Sequence, residues 1–166
     1  QRFRKVIKYA VAEDYLNKDP FMLYRPKTVK KPIVFLNPEQ LKKLEQTNFE
    51  INRIQQIKDM FVFCCYTGLG FSEMSSLKMN QITIEFDGEL WININRQKTQ
   101  KSFKVPLLPK AKKIMEQYEN DGEYVFPRVS NAYLKEIANV VGLEMNLTHH
   151  IARKTFASTV LLYNDV

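Results

Sequence analysis

Residues 81–106 read QITIEFDGELWININRQKTQKSFKVP, and their period decides the fold class. Ile82, Ile84 and Phe86 alternate with polar residues, as do Leu90, Ile92 and Ile94. A repeat of two puts each apolar set on one side of a strand. Asp87-Gly88 between the two runs is a strong hairpin turn. Phe103-Lys104-Val105-Pro106 adds a third short strand. The spacing predicts a three-stranded antiparallel meander.

On both sides of the meander the period is helical. Asn37-Pro38 opens a helix, with asparagine as the cap and proline at the first helical position. Leu41 and Leu44 give that helix a buried side. A longer helix covers about 50–66. Its residues Ile51, Ile54, Ile57, Met60, Phe61, Cys64 and Cys65 become apolar all round at the end, which predicts deep burial there. Gly68 and Gly70 mark a sharp turn, and Ser72 and Glu73 start a short helix reaching Leu77. Further helices are expected at 109–119, 130–141 and 148–163. The fold class is therefore α+β, mainly helical with a small three-stranded antiparallel sheet.

The N-terminal part reads differently. Phe3, Val6, Ile7, Ala10 and Val11 form one stripe of a helix over 2–16. Pro20, Pro26, Pro32 and the run Lys27-Thr28-Val29-Lys30-Lys31 then read as a linker. A lone helix of this length is marginal in water. We therefore expect residues 1–19 to end a preceding domain that is mostly absent, 20–32 to be a basic linker, and 33–166 to be the main domain. The chain starts at Gln1, which fits a piece of a longer protein.

Composition bounds the function. With 45% hydrophobic and 12% aromatic residues the chain is too apolar for disorder. Its two cysteines are neighbours, Cys64 and Cys65, so there is no disulfide framework and a reducing cytosol suits it. The longest apolar run, 60–66, is far short of the ~20 residues of a membrane span. The net charge is +7, and residues 1–31 carry nine basic and three acidic side chains. Residues 96–113 carry seven basic side chains and no acid. Basic clusters of this kind suit a polyanion such as nucleic acid.

Three constellations could carry chemistry. His150 and Arg153 are three apart, so a helix places imidazole and guanidinium on one face near its start. In the loop 96–101, Arg96 and Lys98 point to the same side of an extended chain. The stretch Thr67–Glu73 is neither a Walker loop nor a dinucleotide fingerprint, and its glycines read as turn formers. No metal or cofactor is expected. The two histidines, His149 and His150, are adjacent and do not share a helix face, and the cysteines lack zinc-ligand spacing.

The order of these segments resembles the catalytic domain of tyrosine recombinases, the phage-type integrases, and in particular those of mobile elements. FCCYTGLGFSEMSSLKMNQI (63–82) is similar to the family's first motif. INRQKTQKSFKVPLLPKA (94–111) is similar to its strand–turn–strand lysine motif. LTHHIARKTFAST (147–159) is similar to its His-x-x-Arg helix. FRKVIKYAVAEDYLNKDPF (3–21) resembles the last helix of the domain that precedes it.

The resemblance implies site-specific recombination of double-stranded DNA through a 3′-phosphotyrosine link, with integration or excision of a mobile element. It implies a bacterial, cytoplasmic protein that works as a homo-tetramer on DNA, without membrane, metal or cofactor. Carried over by position, Arg153 would clamp the phosphate, His150 would hydrogen-bond it and help move protons, and Lys98 would protonate the leaving oxygen. Arg4, Lys30, Lys31 and Lys101 would contact DNA.

Two departures stand out. Gly70 occupies a position where the family usually has arginine, and Arg96 is our candidate for the missing cation. The chain also ends 13 residues after Arg153 (166 − 153), short of the expected nucleophile. Tyr163 falls on the same expected helix and is read as a packing residue. The chain alone is thus expected to be a monomer that binds DNA weakly without cutting it. The alternative is a degenerate, non-catalytic DNA-binding module.

Overall fold

The computed structural model describes residues 2–24, 32–95, 102–118 and 122–163, with the backbone alone for Asn131 and Tyr163. It divides into two compact units, 1–32 and 33–166.

In the first unit, α1 spans Arg2–Ala12, shorter than the stripe predicts. The chain turns away through Asp14, whose φ of 58° lies outside the right-handed helix region. No α1 residue is buried within the unit. A turn over 19–24 follows, where Phe21 packs edge-on against Phe3 at 5.8 Å.

The second unit is built around one helix. α2 (Pro38–Gln46) starts with a reciprocal cap, in which Gln40 N–H donates to Asn37 Oδ1 and Asn37 N–H to Gln40 Oε1. α3 (Asn52–Thr67) is buried on every side from Ile57 to Thr67. Two charges lie within that run. Lys58 Nζ pairs with Asp59 at 2.9 Å and donates to the Thr47 carbonyl, while Gln55 and Tyr118 donate to Asp59. Buried charge is tolerated only when satisfied in this way. α4 (Phe71–Ser75) follows the glycine turn.

The sheet has the order β1-β2-β3, all antiparallel, with β1 at Ile82–Ile84, β2 at Leu90–Asn95 and β3 at Ser102–Pro106. Its apolar side pairs Ile82 with Ile92, Ile92 with Val105 and Ile94 with Phe103. The expected first strand is cut short. Ile84 is 72% and Phe86 98% exposed. β1 is an edge, and the chain leaves the ladder at Glu85, whose N–H closes the turn on the Glu89 carbonyl. The alternation therefore stops one step before Phe86.

α5 (Pro109–Glu116), α6 (Leu134–Val141) and α7 (His149–Thr155) complete the unit. The last helix continues through a widened π-type turn, 156–160, into α8 (Leu161–Tyr163). Thr148 caps α7 by accepting from the Ile151 N–H.

Gly68 ends α3 in the left-handed conformation, φ 67°, and a Cβ there would meet Phe156 at 2.5 Å. Gly68→Ala adds both backbone strain and a clash with the helix behind α7. We expect it to lower unfolding free energy by about 2 kcal/mol or more in urea denaturation. Unchanged stability would show that Phe156 moves aside freely.

Candidate active site

The turn Gly68–Gly70 and the start of α7 meet at one place. Glu73, in the first turn of α4, accepts the Gly70 N–H at 2.8 Å through Oε2. The same oxygen receives Arg153 Nη1 at 3.4 Å. Glu73 thus caps its own helix and orients the guanidinium of another. The Arg153 side chain keeps 40% of its exposure, while Glu73 keeps 17%. A partly exposed ion pair is weak, about 0–1 kcal/mol, so an incoming phosphate can replace the carboxylate at little cost.

His150 is exposed and lies on the same helix face, three residues before Arg153. Its neighbour His149 behaves oppositely. The His149 ring lies 4.9 Å from Phe71 and 5.9 Å from Phe61. Burial lowers its pKa from 6.5 to about 4, so it is neutral at physiological pH. It joins the start of α7 to the start of α4 and to α3. The three-residue spacing from Arg153 singled out His150 in the sequence, but nothing there showed that His149 packs against Phe61 and Phe71.

Gly70 is not required by the backbone. Its φ of −79° is ordinary, and among the described residues a Cβ would meet only the Glu73 carboxylate, at 3.4 Å. Cys64 and Cys65 are fully buried and burial pushes both thiols up, which removes them as nucleophiles.

Arg96, Lys98, Lys101, Lys30 and Lys31 lie outside the described residues. Arg4 belongs to the first unit, where its Nη2 donates to the carbonyls of Phe21 at 2.8 Å and Tyr24 at 3.2 Å, tying the turn to α1. Tyr163 sits on the helix that continues α7, as the period of the sequence indicated; its side chain is outside the description. Among the described residues no group of three or more His, Cys, Asp or Glu could hold a metal ion, and no helix is long and apolar enough to cross a membrane.

Residues 34–165 match the model of the phage integrase family, so the chain belongs to that family. Its fold is similar to that of XerA recombinase (TM-score 0.61, 22% identity, covering 98% of this chain and 61% of that one). It is also similar to XerH site-specific recombinase in a pre-cleavage complex with its difH substrate (0.61, 19%, 86% and 47%). A third similar structure is a lambda integrase tetramer bound to a Holliday junction (0.74, 14%, 98% and 50%). The chain spans roughly half to three fifths of these proteins. A search of curated proteins gave no match.

The His149 pKa sets a pH dependence. The folded value, about 4, lies below the unfolded 6.5, so the unfolded state binds the proton more readily. Stability contributed by neutral His149 is full above ~6.5 and falls as pH drops toward ~4, by at most about 1.4 kcal/mol per pH unit. His149→Phe should keep the ring packing and flatten the stability–pH curve over that window. An equally steep curve in the variant would place the titration elsewhere.

Proposed function

We propose that this chain is the catalytic part of a site-specific DNA recombinase that cuts and rejoins duplex DNA. The observation that carries this reading is Arg153. It is half-exposed, oriented by Glu73, and shares a helix face with exposed His150, within a chain of the phage integrase family.

The chemistry is phosphoryl transfer. A tyrosine Oη forms a bond to the phosphorus, and the bond from phosphorus to the 5′-oxygen breaks. Arg153 meets the charge on the nonbridging oxygens through two parallel N–H donors. His150 hydrogen-bonds the phosphate and accepts the tyrosine proton. Lys98 gives a proton to the leaving 5′-oxygen. The phosphoester is kept in the covalent link, so a partner strand's 5′-hydroxyl reverses the step. Preorganised cations aimed at developing charge are the main source of rate in such sites.

Arg96 supplies the cation that Gly70 does not. Lys30, Lys31 and Lys101 neutralise backbone phosphates and set affinity rather than sequence preference. Tyr163 stays outside the nucleophile role, since ten residues of helix place it ~15 Å along the axis from Arg153. The protein acts in the cytoplasm of a bacterial cell, assembled as a tetramer on two duplexes.

Two measurements test the reading. The chain should bind a short duplex with affinity that falls more than ~10-fold between 50 and 200 mM salt, as phosphate contacts require. A salt-independent affinity would refute DNA as the partner. The protein expressed through its native reading frame should relax a supercoiled plasmid, because a strand freed at its 5′ end can rotate before resealing. Arg153→Ala and Arg96→Ala should each slow relaxation by about 10²–10³-fold, and Gly70→Arg should restore part of the loss in Arg96→Ala. DNA binding without any relaxation would favour the second reading, a non-catalytic DNA-binding module, which the missing charge at Gly70 supports.

A further inference from the structure

The helix that carries His150 and Arg153 is also held from behind. Leu36, fully buried, lies in the non-helical stretch that leads into α2. Its N–H donates to Thr155 Oγ1 at 2.9 Å, and its carbonyl accepts from Thr159 Oγ1. Both backbone groups of one residue are therefore satisfied by two hydroxyls one turn apart on the α7 helix. The threonines are themselves buried, at 0% and 4% exposure. Backbone groups buried like this need a partner, and no secondary structure supplies one here.

The latch sits where the helix changes. Thr155 is two residues past Arg153, and the widened turn 156–160 begins immediately after it. Such turns place side chains out of α-helical register and recur at functional sites. Phe156, the first residue of the turn, packs where Gly68 leaves no side chain.

We propose that Thr155 and Thr159 are positioning residues for the cleavage reaction. They latch the buried backbone of Leu36 onto the helix that carries His150 and Arg153, and so hold Arg153 in place against Glu73. The proposal rests on the recombinase reading for its catalytic consequence, while the latch is a property of the chain itself.

Thr155→Val and Thr159→Val keep the branched shape and remove one hydroxyl each. Thr155→Ser and Thr159→Ser keep the hydroxyl. Single variants leave the other half of the latch in place, and folding is checked by thermal melting. In this chain, amide hydrogen exchange should accelerate at least tenfold at Leu36 and along 150–153 in the valine variants, and should stay near wild type in the serine variants. In the protein read through its native frame, the valine variants should slow plasmid relaxation at saturating protein at least tenfold with duplex affinity unchanged, and serine should restore the rate. Acceleration confined to Leu36, or relaxation at the wild-type rate in the valine variants, would reduce the threonines to a structural role and overturn the proposal. A fall in duplex affinity that accounts for the slower relaxation would overturn it too. A wild-type protein that never relaxes plasmid would sink the recombinase reading alone. Exchange along 150–153 would then decide the latch by itself.

Discussion

The burial of α3 is the constraint on which the second unit depends. Eleven consecutive residues, Ile57 to Thr67, are closed off from water, so every neighbouring element must cover some part of this helix. Such a helix has no solvent face on which to place polar groups. Lys58 and Asp59 consequently neutralise each other, and Thr67 donates its hydroxyl to the Phe63 carbonyl one turn back. The helix also fixes where the site stands. Its Phe61 ring faces His149, and its last turn closes when the Gly68 N–H reaches the Cys64 carbonyl. The left-handed Gly68 then throws the chain toward Gly70 and Glu73. A distortion in α3 would therefore appear directly as a displacement of the carboxylate that orients Arg153.

The active helix is fixed by three kinds of interaction, graded in strength. At its start, His149 is packed as a neutral ring between Phe61 and Phe71. At its end, two buried hydroxyls hold both polar groups of Leu36. In the middle, Arg153 meets Glu73 in a longer and partly exposed pair. The weakest contact is the one at the proposed phosphate site. That ordering fits an anion-receiving site, because the backbone stays in place while the guanidinium can exchange a carboxylate for a phosphate.

Much of this was legible from local pattern. The period of two located the strands, Asp87-Gly88 located the hairpin, and Asn37-Pro38 located a helix start. Periodicity reports which residues share a side, but it does not report what covers that side. Ile82, Ile84 and Phe86 form one apolar series, yet edge position leaves two of them in water. The same limit hid Lys58 and Asp59, whose burial depends on Thr47 and Tyr118 arriving from other segments, with Gln55 one turn back on the same helix. At the site, the three-residue spacing put His150 and Arg153 together. The roles of Glu73, His149, Thr155 and Thr159 needed the tertiary structure, because each is defined by a partner distant in sequence.

Gly68 and Gly70 look alike in the sequence and differ in physical meaning. Gly68 is demanded by a positive φ and by the Phe156 ring pressed against its Cα. Gly70 has neither constraint, and only the tip of Glu73 borders the space a side chain would take. Its absence of a side chain is thus a statement about the site rather than about the turn. The Glu73 oxygen that caps α4 through the Gly70 amide is also the one that receives Arg153. With no side chain at position 70, that position adds no charge to the pair of Glu73 and Arg153. On the proposed recombinase reading, a bound phosphate places a second anion beside Glu73, and position 70 offers it no charge. On that reading a further cation comes from another segment of the sequence. The strand-period pairing of Arg96 with Lys98 makes the loop after β2 the place in the sequence that offers one.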